Sequence, residues 1–154
     1  MKFTFHVMTQ REAEHIAYNW KYDGIYSFYD ITADKEDLEL FLDPIKRGNS
    51  VFSVRSEGEL VAFFSAQSIN YYIVDIGLGM KPNLTGKGIG REFVKAGLAF
   101  VRANYNPKKI TLSVAVFNQR AINVYRKVGF EEAGRFMQDT NGSTYEFLKM
   151  VYVC

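Results

Sequence analysis

Residues 78–91 read LGMKPNLTGKGIGR and give the clearest indication of the fold. An apolar strand ends here, Pro82 stops its hydrogen-bonded pairing, and a glycine-rich turn leads directly into a long helical pattern. The first amides of a helix have no partner within the helix, and the helix dipole adds positive potential at that end. The stretch therefore predicts an anion site where the helix begins.

The glycines and cations of this stretch suit a diphosphate. Gly86, Gly88 and Gly90 carry no Cβ, so an anion can approach the backbone closely, and Lys87 and Arg91 add positive charge. The spacing differs from G-x-G-x-x-G, and G-x-x-x-x-G-K-S/T is absent, which excludes the two familiar phosphate loops. A glycine-rich turn without a ligand remains the alternative, and these residues alone leave both open.

A second motif, residues 116–130, reads VFNQRAINVYRKVGF. Together the two motifs resemble those of the GNAT family of N-acetyltransferases. The first family pattern, Q/R-x-x-G-x-G/A, falls on residues 85–90, with Thr85 in place of the usual Gln or Arg. The second, N-x-x-A-x-x-x-Y-x-x-x-G-F, keeps every spacing and falls on Asn118, Ala121, Tyr125, Gly129 and Phe130. The resemblance covers residues 71–130, and the first 50 residues match only in element order.

The resemblance implies acetyl-CoA as co-substrate and no metal. In the family the cofactor lies between two splayed parallel strands, here residues 71–80 and 110–116, with its diphosphate on the glycine turn. We expect Thr85 to weaken or rearrange the diphosphate contacts, and Lys87 to supply charge in compensation. The implied cofactor contacts are Leu78, Gly79, Met80, Thr85, Gly86, Lys87, Gly88, Ile89, Gly90, Arg91, Asn118, Ala121 and Tyr125.

The implied reaction is direct transfer of acetyl to a bound amine. An alkylamine with a pKa of roughly 10.4 is almost entirely protonated at pH 7, and a carboxylate can act as the base. Asp75 is the candidate, because the run DIGL at residues 75–78 resembles the branch that acetylates ribosomal-protein N-termini; the alternative is a structural hydrogen bond. Tyr125 is the candidate acid for the departing thiolate, and core packing is its alternative.

The acceptor side is predicted from the family's geometry, in which the acceptor meets the first two helices and the last hairpin. Aromatic residues crowd residues 20–29, with Asp23 and Asp30 among them, and such a set suits a cationic amine. A satellite hydrophobic cluster under a loop is the alternative. The candidate substrate contacts are Trp20, Tyr22, Tyr26, Phe28 and Tyr29.

The elements are predicted in the order β α α β β β α β α β β. Strands joined through helices predict an α/β sandwich with a mixed sheet, and the resemblance implies six or seven mostly antiparallel strands, about four helices and a splayed parallel pair at the centre. One domain, residues 1–154, is expected. Predicted strands span 3–8, 51–56, 60–68, 71–80, 110–116, 132–138 and 143–153, and predicted helices span 9–20, 34–47, 88–105 and 118–128. The sequence TQRE at residues 9–12 predicts a capping box at the first helix. The last helix is predicted to begin with a capping Asn118 and to end at a left-handed Gly129.

Composition narrows the remaining classes of function and location. The net charge of +2 without a basic stripe gives no indication of nucleic-acid binding. No signal peptide or membrane span is predicted, and the lone Cys154 excludes an internal disulfide, so we expect a cytoplasmic protein, monomeric or homodimeric, without membrane partners. His6 and His15 form no metal-ligand pattern. A non-catalytic acyl-CoA sensor and an RNA-binding domain remain as alternative functions.

Overall fold

The computed structural model describes residues 2–154, and their elements follow the predicted order. Three short 3₁₀ segments, Gly24–Tyr29, Ile31–Ala33 and Pro82–Leu84, lie in the connections. The regular elements are β1 (Thr4–Val7), α1 (Gln10–Asn19), α2 (Lys35–Leu42), α3 (Pro44–Arg47), β2 (Val51–Ser56), β3 (Glu59–Ser68), β4 (Ile73–Met80), α4 (Gly90–Tyr105), β5 (Lys109–Ala115), α5 (Gln119–Val128), β6 (Glu131–Thr140) and β7 (Ser143–Val153).

The strands form one seven-stranded sheet in the order β1-β2-β3-β4-β5-β7-β6. Every neighbouring pair is antiparallel except β4 and β5, which run parallel. That parallel pairing joins only Ile73–Asp75 to Lys109–Thr111, so the two strands diverge beyond Asp75. The predicted mixed sheet with a splayed parallel pair at its centre is confirmed.

Adjacent residues of β3 bury their rings on opposite faces of the sheet, because side chains alternate along a strand. Phe64 lies in the main core beneath α4, where its ring approaches to 2.6 Å from the position a Cβ on Gly97 would occupy. Phe63 packs on the other face against the smaller cluster that includes Ile16 and Trp20 of the α1 region. Helices therefore cover both faces, and the predicted sandwich is confirmed.

The start of α1 follows its sequence signal. Thr9 Oγ1 accepts from the backbone N–H of Glu12 at 3.2 Å, and Glu12 Oε1 accepts from the backbone N–H of Thr9 at 3.0 Å. This reciprocal pair is the predicted capping box.

Two predicted helix boundaries were wrong. The single helix over residues 34–47 is split into α2 and α3, because the residue before a proline avoids helical backbone and Asp43 is extended ahead of Pro44. The long helix begins at Gly90 instead of Gly88, because Gly88 has φ +78°, outside the helical region.

None of the helices within residues 2–154 is long and apolar enough to cross a membrane.

Candidate active site

The edge of β4 that faces β5 has unpaired backbone beyond Asp75. The backbone N–H of Lys81 donates to Val61 O of β3 at 2.9 Å. Hydrogen bonding to one neighbour alternates along an antiparallel strand, so the odd-numbered residues of β4 face β3 and the even-numbered ones face β5. Leu78 and Met80 therefore direct their N–H and C=O groups into the gap that opens where pairing with β5 ends.

The glycine loop, residues 85–90, joins this open edge to the start of α4. Gly86 and Gly88 have φ of +72° and +78°, which favours glycine. A Cβ built on Gly88 or Gly90 meets no atom within 4 Å in the described chain, so the space above the loop is open. The N-cap residue is Ile89, whose side chain makes no cap hydrogen bond to the first turn of the helix. The loop thus places uncapped helix amides beside open space, as an anion site requires.

Thr85, the one departure from the family pattern, has a local structural role. Its hydroxyl donates to the carbonyl of Pro82 at 2.7 Å and so closes the 3₁₀ turn ahead of the loop. Its hydroxyl therefore bonds to the backbone, and the positive charge beside the glycine loop comes from other residues.

The gap between β4 and β5 is a cleft of about 590 Å³. The described residues that line it include three tyrosines of the segment 21–31 and no Asp, Glu or His. Lys87 and Ile89 are the two predicted cofactor contacts that do not line it. The predicted contacts brought together there are Leu78, Gly79, Met80, Thr85, Gly86, Gly88, Gly90, Arg91, Asn118, Ala121 and Tyr125.

Tyr125 lies on α5 with its ring half-buried in the cleft wall. Burial raises the pKa of its phenol, and the neighbouring Tyr29 raises it further, so the hydroxyl is protonated at neutral pH. Asn118 caps α5 by accepting from the backbone N–H of Ala121 at 3.2 Å, as predicted. The same amide donates from Nδ2 to Tyr29 Oη at 3.2 Å, which ties the helix start to the second phenol.

The aromatic segment, residues 21–31, contributes three of the five predicted substrate contacts to the cleft: Tyr22, Tyr26 and Tyr29. The Tyr22 hydroxyl donates to Met80 O at 2.6 Å, so it occupies one acceptor of the open β4 edge. Burial raises the pKa of Tyr22, with a further contribution from the charge of Asp30.

Trp20 and Phe28 lie elsewhere. Trp20 is 3% exposed and packs 6.2 Å from the Phe63 ring, in the smaller core cluster. Phe28 packs against Phe117 and Tyr145, at ring distances of 5.3 and 4.7 Å. Both residues therefore pack in hydrophobic clusters, which was the alternative to substrate contact for these aromatic residues.

Asp75 lies at the closed end of the cleft and does not line it. Its Oδ1 accepts from Thr111 Oγ1 at 2.7 Å across the last pairing of β4 with β5. This geometry favours the alternative role, a structural hydrogen bond at the point where the strands diverge, and the role of Asp75 as base stays a prediction.

Several lining residues were not predicted from the sequence. The apolar wall follows from the alternation of β4 and β5, as with Ile76 and Leu112, but Arg120 was overlooked. Its signal was a cation in the first turn of a helix, where the dipole disfavours positive charge. Groups of three or more His, Cys, Asp or Glu that could hold a metal do not occur in the described part of the chain.

Comparison with known proteins agrees with the fold and the motifs. The model of the acetyltransferase (GNAT) family matches residues 12–130. The chain is 33% identical over 76 residues to the peptidyl-lysine N-acetyltransferase YjaB of Escherichia coli, covering 49% of this chain and 48% of that protein. It is 28% identical over 102 residues to the spermidine N(1)-acetyltransferase of Vibrio cholerae, covering 64% of this chain and 58% of that protein.

Among solved structures, the Vibrio cholerae spermidine N-acetyltransferase in complex with CoA and spermine superposes with a TM-score of 0.74 at 22% identity, over 98% of this chain and 95% of that one. The alignments with the two relatives span only about half to three-fifths of those proteins, 48% and 58%. The family match covers most of this chain. The chain belongs to the acetyltransferase (GNAT) family, and the family predicted from the two motifs is confirmed.

Proposed function

We propose that this chain transfers an acetyl group from acetyl-CoA to a primary amine. One observation carries the proposal: the open backbone edge at Leu78 and the uncapped start of α4 meet in one cleft. An edge strand can pair with an extended amide chain, and a helix start can bind phosphate. CoA carries both groups, a pantetheine arm with two amides and a diphosphate.

The residues present fit this cofactor. The space that a Cβ would occupy at Gly88 and Gly90 is open, so phosphate oxygens can approach the amides of the glycine loop. Arg91 and Arg120 line the same end of the cleft and supply positive charge. Because Tyr22 already occupies the carbonyl of Met80, the backbone of Leu78 is the better candidate to pair with the pantetheine arm.

Acetyl-CoA supplies the acetyl group as a thioester, whose sulfur takes up a proton when the C–S bond breaks. Tyr125 is the proposed donor of that proton. A phenol with its ordinary pKa of roughly 10 is already protonated at neutral pH, and burial raises the pKa of Tyr125 further, so the residue carries a proton and is not a base in its resting state. Tyr29, linked to Asn118, adds a second phenol beside it.

The amine must lose its own proton before or during attack. Leaving it protonated costs roughly 4–5 kcal/mol at pH 7 for a pKa of roughly 10.4. Because the described cleft lining contains no carboxylate or imidazole, we propose that water carries this proton away. Asp75 accepts a hydrogen bond from Thr111 at the point where the strands diverge. For Asp75 to act as the base, a water molecule must connect it to the amine.

The acceptor is proposed to enter between the aromatic segment and α5, where Tyr22, Tyr26 and Tyr29 face the cleft. The names of relatives include a peptidyl-lysine and a spermidine acetyltransferase. We therefore propose an amine of one of three kinds, a small polyamine, a lysine side chain or a protein N-terminus, the last following the ribosomal-protein branch. The cytoplasm is the proposed compartment, and a monomer or homodimer the proposed assembly.

A non-catalytic acyl-CoA sensor is the second candidate, favoured by the absence of a carboxylate or imidazole from the described cleft lining. Incubation of the purified chain with acetyl-CoA and a panel of spermidine, a lysine peptide and a peptide with a free N-terminus separates the two. The enzyme releases thiol and adds 42 Da to one amine, as read by mass spectrometry, whereas a sensor binds CoA without turnover.

A further inference from the structure

Arg120 is a cation in a position that does not favour helix stability. It is the second residue of α5, and the first turn of that helix contains no acidic residue. A positive charge at a helix N-terminus is repelled by the dipole. Ion pairs within residues 2–154 join Arg55, Arg126 and Arg135 to glutamates, and none of them includes Arg120. The exposed guanidinium of Arg120 is therefore available to an anion from outside the chain.

The guanidinium of Arg120 lies over the glycine loop. Its Nη1 is 3.3 Å from the position that a Cβ on Gly86 would occupy, and the residue lines the cleft. The charge thus stands beside the uncapped start of α4, so two sources of positive potential converge on one place. Cβ atoms on the next two loop glycines would meet open space, which leaves room for an anion there.

The ring of Tyr26 contacts this guanidinium. The Arg120 Cζ atom lies 4.2 Å from the centroid of the Tyr26 ring. A guanidinium stacked on a ring keeps its N–H donors in the plane of the group, where they remain available to phosphate oxygens. Tyr26 belongs to the aromatic segment, which is itself anchored by Tyr22 on Met80 and by Tyr29 on Asn118.

We propose that Arg120 binds the diphosphate of CoA and that Tyr26 is a positioning residue that orients it by stacking. This inference rests on the proposed function. It gives Tyr26 a role different from the predicted contact with the acceptor amine. It also links the acceptor side of the cleft to the cofactor side, because displacement of the aromatic segment removes the support of Arg120.

The test compares CoA with pantetheine, which lacks the diphosphate. Arg120→Gln is expected to weaken CoA binding about 10–100-fold in calorimetry, the range for lost hydrogen bonds to a charged group, while pantetheine binding followed by NMR changes less than about twofold. Arg120→Lys keeps the charge without the planar guanidinium, so its affinity for CoA should lie between those of the natural chain and Arg120→Gln. Arg126→Gln is the matched control, because Arg126 lies on α5 outside the cleft lining and pairs with Glu132 at the surface.

A double-mutant cycle tests the stack. Tyr26→Leu should weaken CoA binding about 2–5-fold, the scale of an exposed cation–π contact, and have no further effect once Arg120 is Gln. Tyr26→Phe, which keeps the ring, should bind CoA as the natural chain does. Tyr26→Leu should raise KM for acetyl-CoA by a larger factor than KM for the amine. Tyr18→Leu, an exposed tyrosine of α1, is the control.

Four results would overturn the inference. Arg120→Gln binding CoA within about twofold of the natural chain would remove the diphosphate contact, and equal losses for CoA and pantetheine would assign Arg120 a structural role. A rise in the amine KM alone for Tyr26→Leu would return Tyr26 to the acceptor site. A natural chain that binds no CoA at all contradicts the proposed function as well, so the two failures are distinguishable.

Discussion

Replacement of Gly88 by alanine separates the ligand role of the glycine loop from its role in folding. Gly88 has φ +78°, and a Cβ there meets no atom of the described chain within 4 Å. Gly58, in the turn between β2 and β3, is its matched control, with φ +80° and the same open surroundings. Alanine at either position costs about 1–2 kcal/mol for its left-handed backbone. For a chain of this size each kcal/mol lowers Tm by about 2–4 °C.

Only the alanine at Gly88 is expected to weaken CoA binding. The new methyl group occupies the space through which phosphate oxygens reach the loop amides, and loss of one hydrogen bond to a charged group costs about 1.5–3 kcal/mol, or about 10–150-fold in Kd. Gly88→Asp adds a like charge, worth about 1–4 kcal/mol at 4 Å between water and an effective dielectric of 20, and should abolish binding.

Calorimetry with CoA gives the affinities, and thermal unfolding with and without CoA gives the folding cost on the same samples. At a CoA concentration of about 100 times the natural Kd, the natural chain and Gly58→Ala should gain about 2.7 kcal/mol of stability, whereas Gly88→Ala should gain only about 0.3–1.4 kcal/mol. Equal CoA affinity for both alanine variants would refute the placement of the diphosphate on this loop.

Three further changes test the proposed chemistry. Tyr125→Phe should keep CoA affinity and slow acetyl transfer by about 10²–10⁴-fold in a thiol-release assay; unchanged turnover would remove Tyr125 from the mechanism. Asp75→Asn keeps an oxygen that can accept from Thr111, so turnover should fall less than about fivefold with an unchanged pH profile, and a loss of 10²-fold or more would restore Asp75 as base. Burial raises the pKa of Tyr22 and Tyr125 in the folded chain. Between about pH 10, where these phenols titrate in the unfolded chain, and their folded pKa values, the unfolded state therefore binds fewer protons than the folded state. The free energy of unfolding should decrease as pH rises through this window. Urea unfolding at pH 8 and pH 10.5 measures this, and a higher stability at the alkaline pH would contradict it.

The parts of the fold that local sequence controls were predicted well. The capping box at Thr9, the cap by Asn118 and the left-handed Gly129 each depend on a few neighbouring residues, and all are present. The break at Pro44 was missed although its signal is equally local, because Leu38, Phe41 and Leu42 keep helical spacing up to that point.

The parts of the site that depend on distant residues were not predictable from local patterns. The aromatic segment contains irregular 3₁₀ turns, which present no fixed face, so the sequence did not separate Tyr26 in the cleft from Phe28 in its aromatic cluster. The stack of Arg120 on Tyr26 joins two elements that no spacing rule relates. The partner of Asp75 depends on the register of β4 with β5, which is decided by the whole sheet.

An NMR titration of the ¹⁵N-labelled chain with CoA reports each backbone amide separately and therefore locates the bound diphosphate and pantetheine arm. The largest shifts are expected at the amides of residues 85–91, with a second group at residues 78–80 along the open edge of β4, and they should saturate at one CoA per chain. Shifts that cluster on another surface, or none at these amides at millimolar CoA, would contradict this placement of CoA.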